Sequence, residues 1–142
     1  MRLLVDTNVF LDLILNRAQD GIEAENFFRN CFIAKFRTYL TSISLRDIGY
    51  ITHQVFHDND KSLKAQFRAY ELCSKVISIT ADDSINSLFS DVKDYEDSLL
   101  IEAAKRELLD AIITNNIKDF KNCEVPVFTP KEFNKIIMCQ TN

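Results

Sequence analysis

Five short aliphatic runs punctuate this chain, and segments with helically spaced apolar residues fill the gaps between them. The runs are Leu3-Leu4-Val5, Thr38-Tyr39-Leu40-Thr41, Val76-Ile77-Ser78-Ile79, Ala111-Ile112-Ile113-Thr114 and Val125-Pro126-Val127-Phe128. Runs this short and this apolar read as strands buried on both faces. Strands that alternate with helices imply crossover connections and a parallel sheet covered above and below. The chain has only two glycines and two prolines, so its loops should be short. Pro126 makes the last run an edge strand, because proline cannot donate to a central ladder.

The helical segments carry their own signals. Thr7 is read as the N-cap of a helix near 8–15 with Val9, Phe10, Leu13 and Ile14 inward. A helix near 20–34 shows Ala24, Phe27, Phe28 and Cys31 on one face. Ser42 or Ser44 is expected to cap a helix with Leu45, Ile48, Thr52, Val55 and Phe56 on one stripe. After Asp58-Asn59-Asp60, a helix near 61–73 should turn Leu63, Phe67 and Tyr70 inward. A helix near 82–92 should do the same with Ile85, Leu88, Phe89 and Val92. One near 95–109 follows, and Thr129 and Pro130 open a last helix.

Length and composition narrow the class. A chain of 142 residues is enough for one domain with a full core, and residues 1–142 are taken as one. No stretch approaches the apolar length of a membrane span. Charged Asp6 and Asp12 interrupt the one apolar run near the start, so no signal peptide is read and a cytoplasmic protein is expected. The four cysteines are scattered without a CxxC pair, which favours free thiols over disulfides or zinc. His53 and His57 stand at i and i+4 but lack the glutamate of HExxH. The net charge of −4 argues against a module that merely coats nucleic acid. It leaves room for an enzyme that meets phosphates through bound cations.

Acids gather where strands end and helices begin. Asp6 directly follows the first run, at the carboxyl edge where open α/β sheets place their sites. Asp47 lies in the first turns of the helix after the second run. Asp97 heads the stripe Leu100, Ile101, Ala104 and Leu108, an otherwise apolar face. The turn after Thr114 holds Asn115, Asn116 and Asp119. Converging carboxylates repel one another unless a cation sits among them. Mg²⁺ and Mn²⁺ prefer such hard oxygen donors, and can activate water and stabilise charge at a phosphodiester.

Four segments in this order resemble the PIN domain, the nuclease family that includes VapC-like toxins of toxin–antitoxin pairs. They are Val5-Asp6-Thr7-Asn8-Val9 with Leu11-Asp12, Ser44-Leu45-Arg46-Asp47-Ile48-Gly49-Tyr50, Asp94-Tyr95-Glu96-Asp97-Ser98-Leu99, and Ile112-Ile113-Thr114-Asn115-Asn116-Ile117-Lys118-Asp119-Phe120. The resemblance implies a three-layer α/β/α sandwich around a mainly parallel sheet of four to five strands. It implies a Mg²⁺- or Mn²⁺-dependent endoribonuclease with Asp6, Asp47 and Asp97 as acidic ligands. Asp47 stands where many relatives carry glutamate. The family's fourth acid falls on Asn116, so Asn116 or Asp119 completes the set. Asn8 and Thr114 would orient ligands or water. Asp94 is assigned to helix capping and Glu96 to the solvated surface.

Arg17 and Arg46, close in sequence to these acids, are the candidates for substrate phosphates; Lys61, Lys64 and Arg68 form a solvated face. The expected partners are an RNA substrate, a cognate antitoxin protein and a second copy in a homodimer. A degraded PIN-like domain that binds RNA or protein without cutting is the competing expectation. A phosphotransferase using Asp6 as nucleophile fits poorly, because position 8 is Asn8 and not a second acid.

Overall fold

The aliphatic runs become strands because both of their faces are covered. The computed structural model describes residues 1–140. Its strands are β1 (Arg2–Val5), β2 (Arg37–Thr41), β3 (Lys75–Ile77), β4 (Ala111–Ile113) and β5 (Val127–Phe128). They form one parallel sheet in the order β3-β2-β1-β4-β5. Alternate residues of a strand point to opposite faces. Leu3, Val5, Leu40, Ala111 and Ile113 accordingly enter one core, and Leu4, Tyr39, Ile77 and Ile112 the other. Pro126 lies just before β5 and contributes only its carbonyl, which accepts from Ile112 N at 2.9 Å.

Helices cover both faces, as a parallel sheet requires. The first layer holds α1 (Thr7–Ile14), α2 (Ala18–Ile33), α3 (Ser42–Phe56), α4 (Asn59–Leu72) and α7 (Pro130–Gln140). The second holds α6 (Tyr95–Arg106), with α5 (Ala81–Leu88) packed on it. From β1 the chain steps to β2 and β3 on one side, then crosses to β4 and β5 on the other. Strand order therefore reverses between β1 and β4, the place where open α/β sheets form a crevice. Among the described residues, no helix is long and apolar enough to cross a membrane.

Capping differs in detail from the sequence reading. Thr7 is already helical, and the N-cap position before it is Asp6, in an extended conformation (φ −70°, ψ 152°). Thr41, not Ser42 or Ser44, caps α3: its hydroxyl accepts from Ser44 N at 3.0 Å. Asp58 caps α4 by accepting from Lys61 N at 3.0 Å. Thr129 and Glu132 form a reciprocal box at the start of α7.

Two helices are turned the other way round. In α4 the buried residues are Ser62, Ala65 and Ala69, while Leu63, Phe67 and Tyr70 are 53%, 59% and 58% exposed. Small side chains let α4 approach α3, where Ser62 Oγ donates to Gly49 O at 3.0 Å and meets Thr52 Oγ1 at 3.2 Å. Gln66 fills the space a side chain at Gly49 would take. In α5 the buried residues are Asp83 and Ser87, whereas Ile85, Leu88 and Phe89 face outward. Asp83 is drawn in by Arg106 of α6, whose guanidinium donates to both of its oxygens at 3.1–3.2 Å. On α3, Val55 also points away from the core.

Candidate active site

β1 ends at Val5, and the ladder to β4 continues one residue further through Asp6 N donating to Ile113 O at 2.9 Å. That last rung fixes Asp6 at the reversal point. Its carboxylate is 7% exposed and makes no cap bond to α1. Instead Oδ2 accepts from Thr114 Oγ1 at 2.7 Å and Asn8 Nδ2 at 2.9 Å. Thr114 in turn accepts from Asn116 N at 3.0 Å, so the proton order along this chain is fixed. Burial pushes the Asp6 carboxyl up to about 6, against the opposing effect of the Thr114 bond.

Asp97 comes from α6. Asp94 caps that helix, accepting from Glu96 N and Asp97 N at 2.9 and 3.2 Å. Asp97 is thereby held on the buried face at 8% exposure, and its Oδ2 has no hydrogen-bond partner among the described residues. Burial first, and then the negative charge of Asp6, raise its carboxyl to about 7. Asp94, Asp119 and Glu96 add to the effect. A buried carboxylate oxygen with no donor is costly by a few kcal/mol.

Asp6, Asn8, Asp47, Arg46, Asp94, Glu96, Asp97 and Asn116 line a single cleft of about 430 Å³ above this edge. The three acids singled out from the sequence thus share one cleft. Asp47, on the α3 wall, is half-buried and held by its neighbour: Arg46 donates to its Oδ1 from Nη2 at 2.7 Å and Nε at 3.1 Å. Asn116 directs its side-chain amide to Asp119, and Asp119 itself does not line the cleft. Arg17 does not line it either. It pairs with Asp12 at 3.3 Å.

Two residues gain a place that the sequence reading did not give them. Asp12 is 5% exposed and accepts from Asn115 Nδ2 at 2.6 Å, tying the turn after β4 to α1. An acid among the apolar positions of a short helix was the available signal. Glu96 is exposed, as its solvated assignment implies, yet it stands on the cleft rim beside Asp97.

The donor chemistry suits a hard divalent cation. The acids are oxygen ligands, and among the described residues no imidazole or thiol lines the cleft and one Asp97 oxygen is unpartnered beside the charge of Asp6. Among the described residues, however, no three acidic, imidazole or thiol groups converge tightly enough to hold an ion as they stand. Asp6 and Asp97 are coupled, and Asp47 is engaged by Arg46.

The family model of the PIN domain matches residues 2–118. The chain belongs to the PIN domain family. Solved structures share its fold at low identity. One is a toxin–antitoxin complex from Klebsiella pneumoniae, with a TM-score of 0.62 and 22% identity over 89% of this chain and 96% of the other. A DNA-bound VapBC from Salmonella typhimurium gives 0.69 and 16%, over 92% and 98%. The sarcin–ricin-loop-cleaving toxin VapC20 of Mycobacterium tuberculosis gives 0.64 and 13%, over 87% and 98%. No curated protein matches the chain.

Proposed function

We propose that this protein is a Mg²⁺- or Mn²⁺-dependent endoribonuclease that hydrolyses RNA phosphodiesters. The observation that carries the reading is the pair Asp6 and Asp97. Both are buried at the sheet's reversal point, both are raised towards neutrality, and one oxygen lacks any donor. Such an arrangement is unfavourable in an unliganded fold and becomes favourable around a cation. When bound, the ion would supply Lewis acidity and a more acidic water at the phosphodiester.

Asp6 and Asp97 would hold the ion, with Asp47 and the Asn116 side chain completing the oxygen set. Asp119 takes part through its hold on Asn116. Thr114 and Asn8 orient the Asp6 carboxylate by donating to Oδ2, which leaves it little rotational freedom. Arg46, on the cleft wall, would meet the RNA phosphate. The test is cleavage of a labelled RNA by wild type and Asp6→Asn with Mg²⁺, Mn²⁺ or chelator. Metal-dependent cleavage lost in the variant supports the reading. Equal background from both proteins, together with retained RNA binding, would instead favour a non-cutting module, which the amide at Asn116 also suits.

A toxin role with an antitoxin partner is supported by the toxin chains that share the fold. It is also supported by the outward apolar residues of α4. Leu45, Leu63, Phe67 and Tyr70 surround one groove of about 360 Å³. Leu13, Ile14, Phe56 and Ala65 floor another of about 380 Å³, rimmed by Lys61, Lys64 and Arg68. Exposed apolar surface of this kind marks sites of protein association, for an antitoxin or a second copy of the chain.

A further inference from the structure

Within the cleft, Asp47 stands apart from its fellow acids because Arg46 has claimed it. Nε and Nη2 of Arg46 both donate to Asp47 Oδ1. Arg46 is 77% exposed while Asp47 is 19% exposed, so the arginine is the member of the pair open to an incoming ligand. Both line the same cleft as Asp6 and Asp97. We infer that Arg46 is a positioning residue that withholds Asp47 from the metal until a substrate phosphate draws the guanidinium away.

The exchange follows from donor and acceptor chemistry. A guanidinium has five N–H donors in a planar fork that fits a phosphate with two parallel bonds. Against Asp47 it uses two nitrogens on a single oxygen, a poorer match. An RNA phosphate entering the cleft therefore offers Arg46 a better partner. Asp47, once released, leaves a half-buried carboxylate free in the cleft that Asp6 and Asp97 also line, where a divalent ion is the group that would offset their charge. RNA binding and metal binding then strengthen one another through one side chain, and the coupling must be reciprocal. In the free protein the cleft remains short of its third acid, which limits metal loading where no RNA is present.

This inference rests on the nuclease reading, and a binding measurement separates the two. Mn²⁺ affinity is measured by titration calorimetry on the full chain, for wild type, Arg46→Gln, Asp47→Asn and the double variant. It is repeated with an oligonucleotide whose bridging phosphodiester oxygens are replaced by methylene groups, so that no oxygen leaving group remains to be displaced. Without nucleic acid, Arg46→Gln should bind Mn²⁺ about threefold to fivefold more tightly than wild type, the scale of an exposed ion pair. Removing a cation could also act through space, so the double variant decides. In the Asp47→Asn background the Arg46→Gln gain should vanish, because there is no carboxylate left to release.

With the oligonucleotide bound, the wild type should show the tightened affinity, and Arg46→Gln should gain little more. A gain that persists in the Asp47→Asn background, or none in Arg46→Gln alone, overturns the inference and leaves the nuclease reading standing. No Mn²⁺ binding by any of the four proteins overturns both. Unchanged melting curves across the set would verify that the fold is intact.

Discussion

Replacing Asp97 by asparagine should stabilise the metal-free protein at neutral and alkaline pH. Asp97 is 8% exposed, has an oxygen without a donor, and titrates at about 7 rather than at the 3.8 of a free aspartate. A carboxyl whose folded pKa lies above its unfolded value binds its proton more tightly in the native state. Its contribution to stability is therefore fully present below about pH 4 and is lost as pH rises through about 7. Three pKa units correspond to about 4 kcal/mol at the upper limit. Part of that comes from the charge of Asp6, which itself titrates at about 6, so neutralising Asp97 alone should return about 2–4 kcal/mol.

Urea unfolding in chelator measures it. At pH 8 Asp97→Asn should have the higher midpoint with an unchanged slope. The gap should narrow steadily on acidification and close near pH 4. Saturating Mn²⁺ should reverse the order, since a ligand that binds only the native state adds stability in proportion to the logarithm of its concentration over Kd. A variant less stable than wild type at pH 8, or a gap that does not vary with pH, would refute the account of Asp97 as a strained carboxylate awaiting a cation.

Thr114→Val removes the donor to Asp6 and the acceptor of Asn116 N; Mn²⁺ affinity should fall about 10–100-fold with the helical circular dichroism retained. Gly21→Ala would place a methyl group 2.8 Å from Asp12 O and 3.3 Å from Asn16 C. Those are backbone atoms of the tight α1–α2 corner, so denaturant unfolding should show a loss of about 1–3 kcal/mol. Phe67→Ser, at a position read inward from the sequence but exposed in the fold, should change stability by no more than about 0.5 kcal/mol in the same assay.

The comparison of α4 with α6 shows where sequence reasoning holds. On α6 Asp97, Leu100, Ile101 and Ala104 face inward as expected, because one side of that helix is apolar and meets the sheet, while Leu108, read as the end of the same stripe, lies past the last helical residue and is 79% exposed. On α4 an apolar stripe exists too, but Ser62, Ala65 and Ala69 pack against α3 in its place. A helical period identifies an apolar face; it does not say whether that face meets the core or solvent. α5 fails for a related reason. Arg106, more than 20 residues away, pulls Asp83 inward, and no local pattern carries that information.

The chain's own order of residues determined a parallel α/β layout and put Asp6, Asp47 and Asp97 at the ends of strands and the starts of helices. Those are local properties, set by runs of buried aliphatic side chains and by the spacing that follows them. Only the folded chain decided that the three acids line one cleft and that Arg17 and Asp119 stay out of it. It also decided that one Asp97 oxygen is left without a donor among the described residues while Arg46 takes Asp47. Burial, charge coupling and hydrogen-bond competition depend on distances between residues far apart in the chain, and those distances come into being only when the sheet closes.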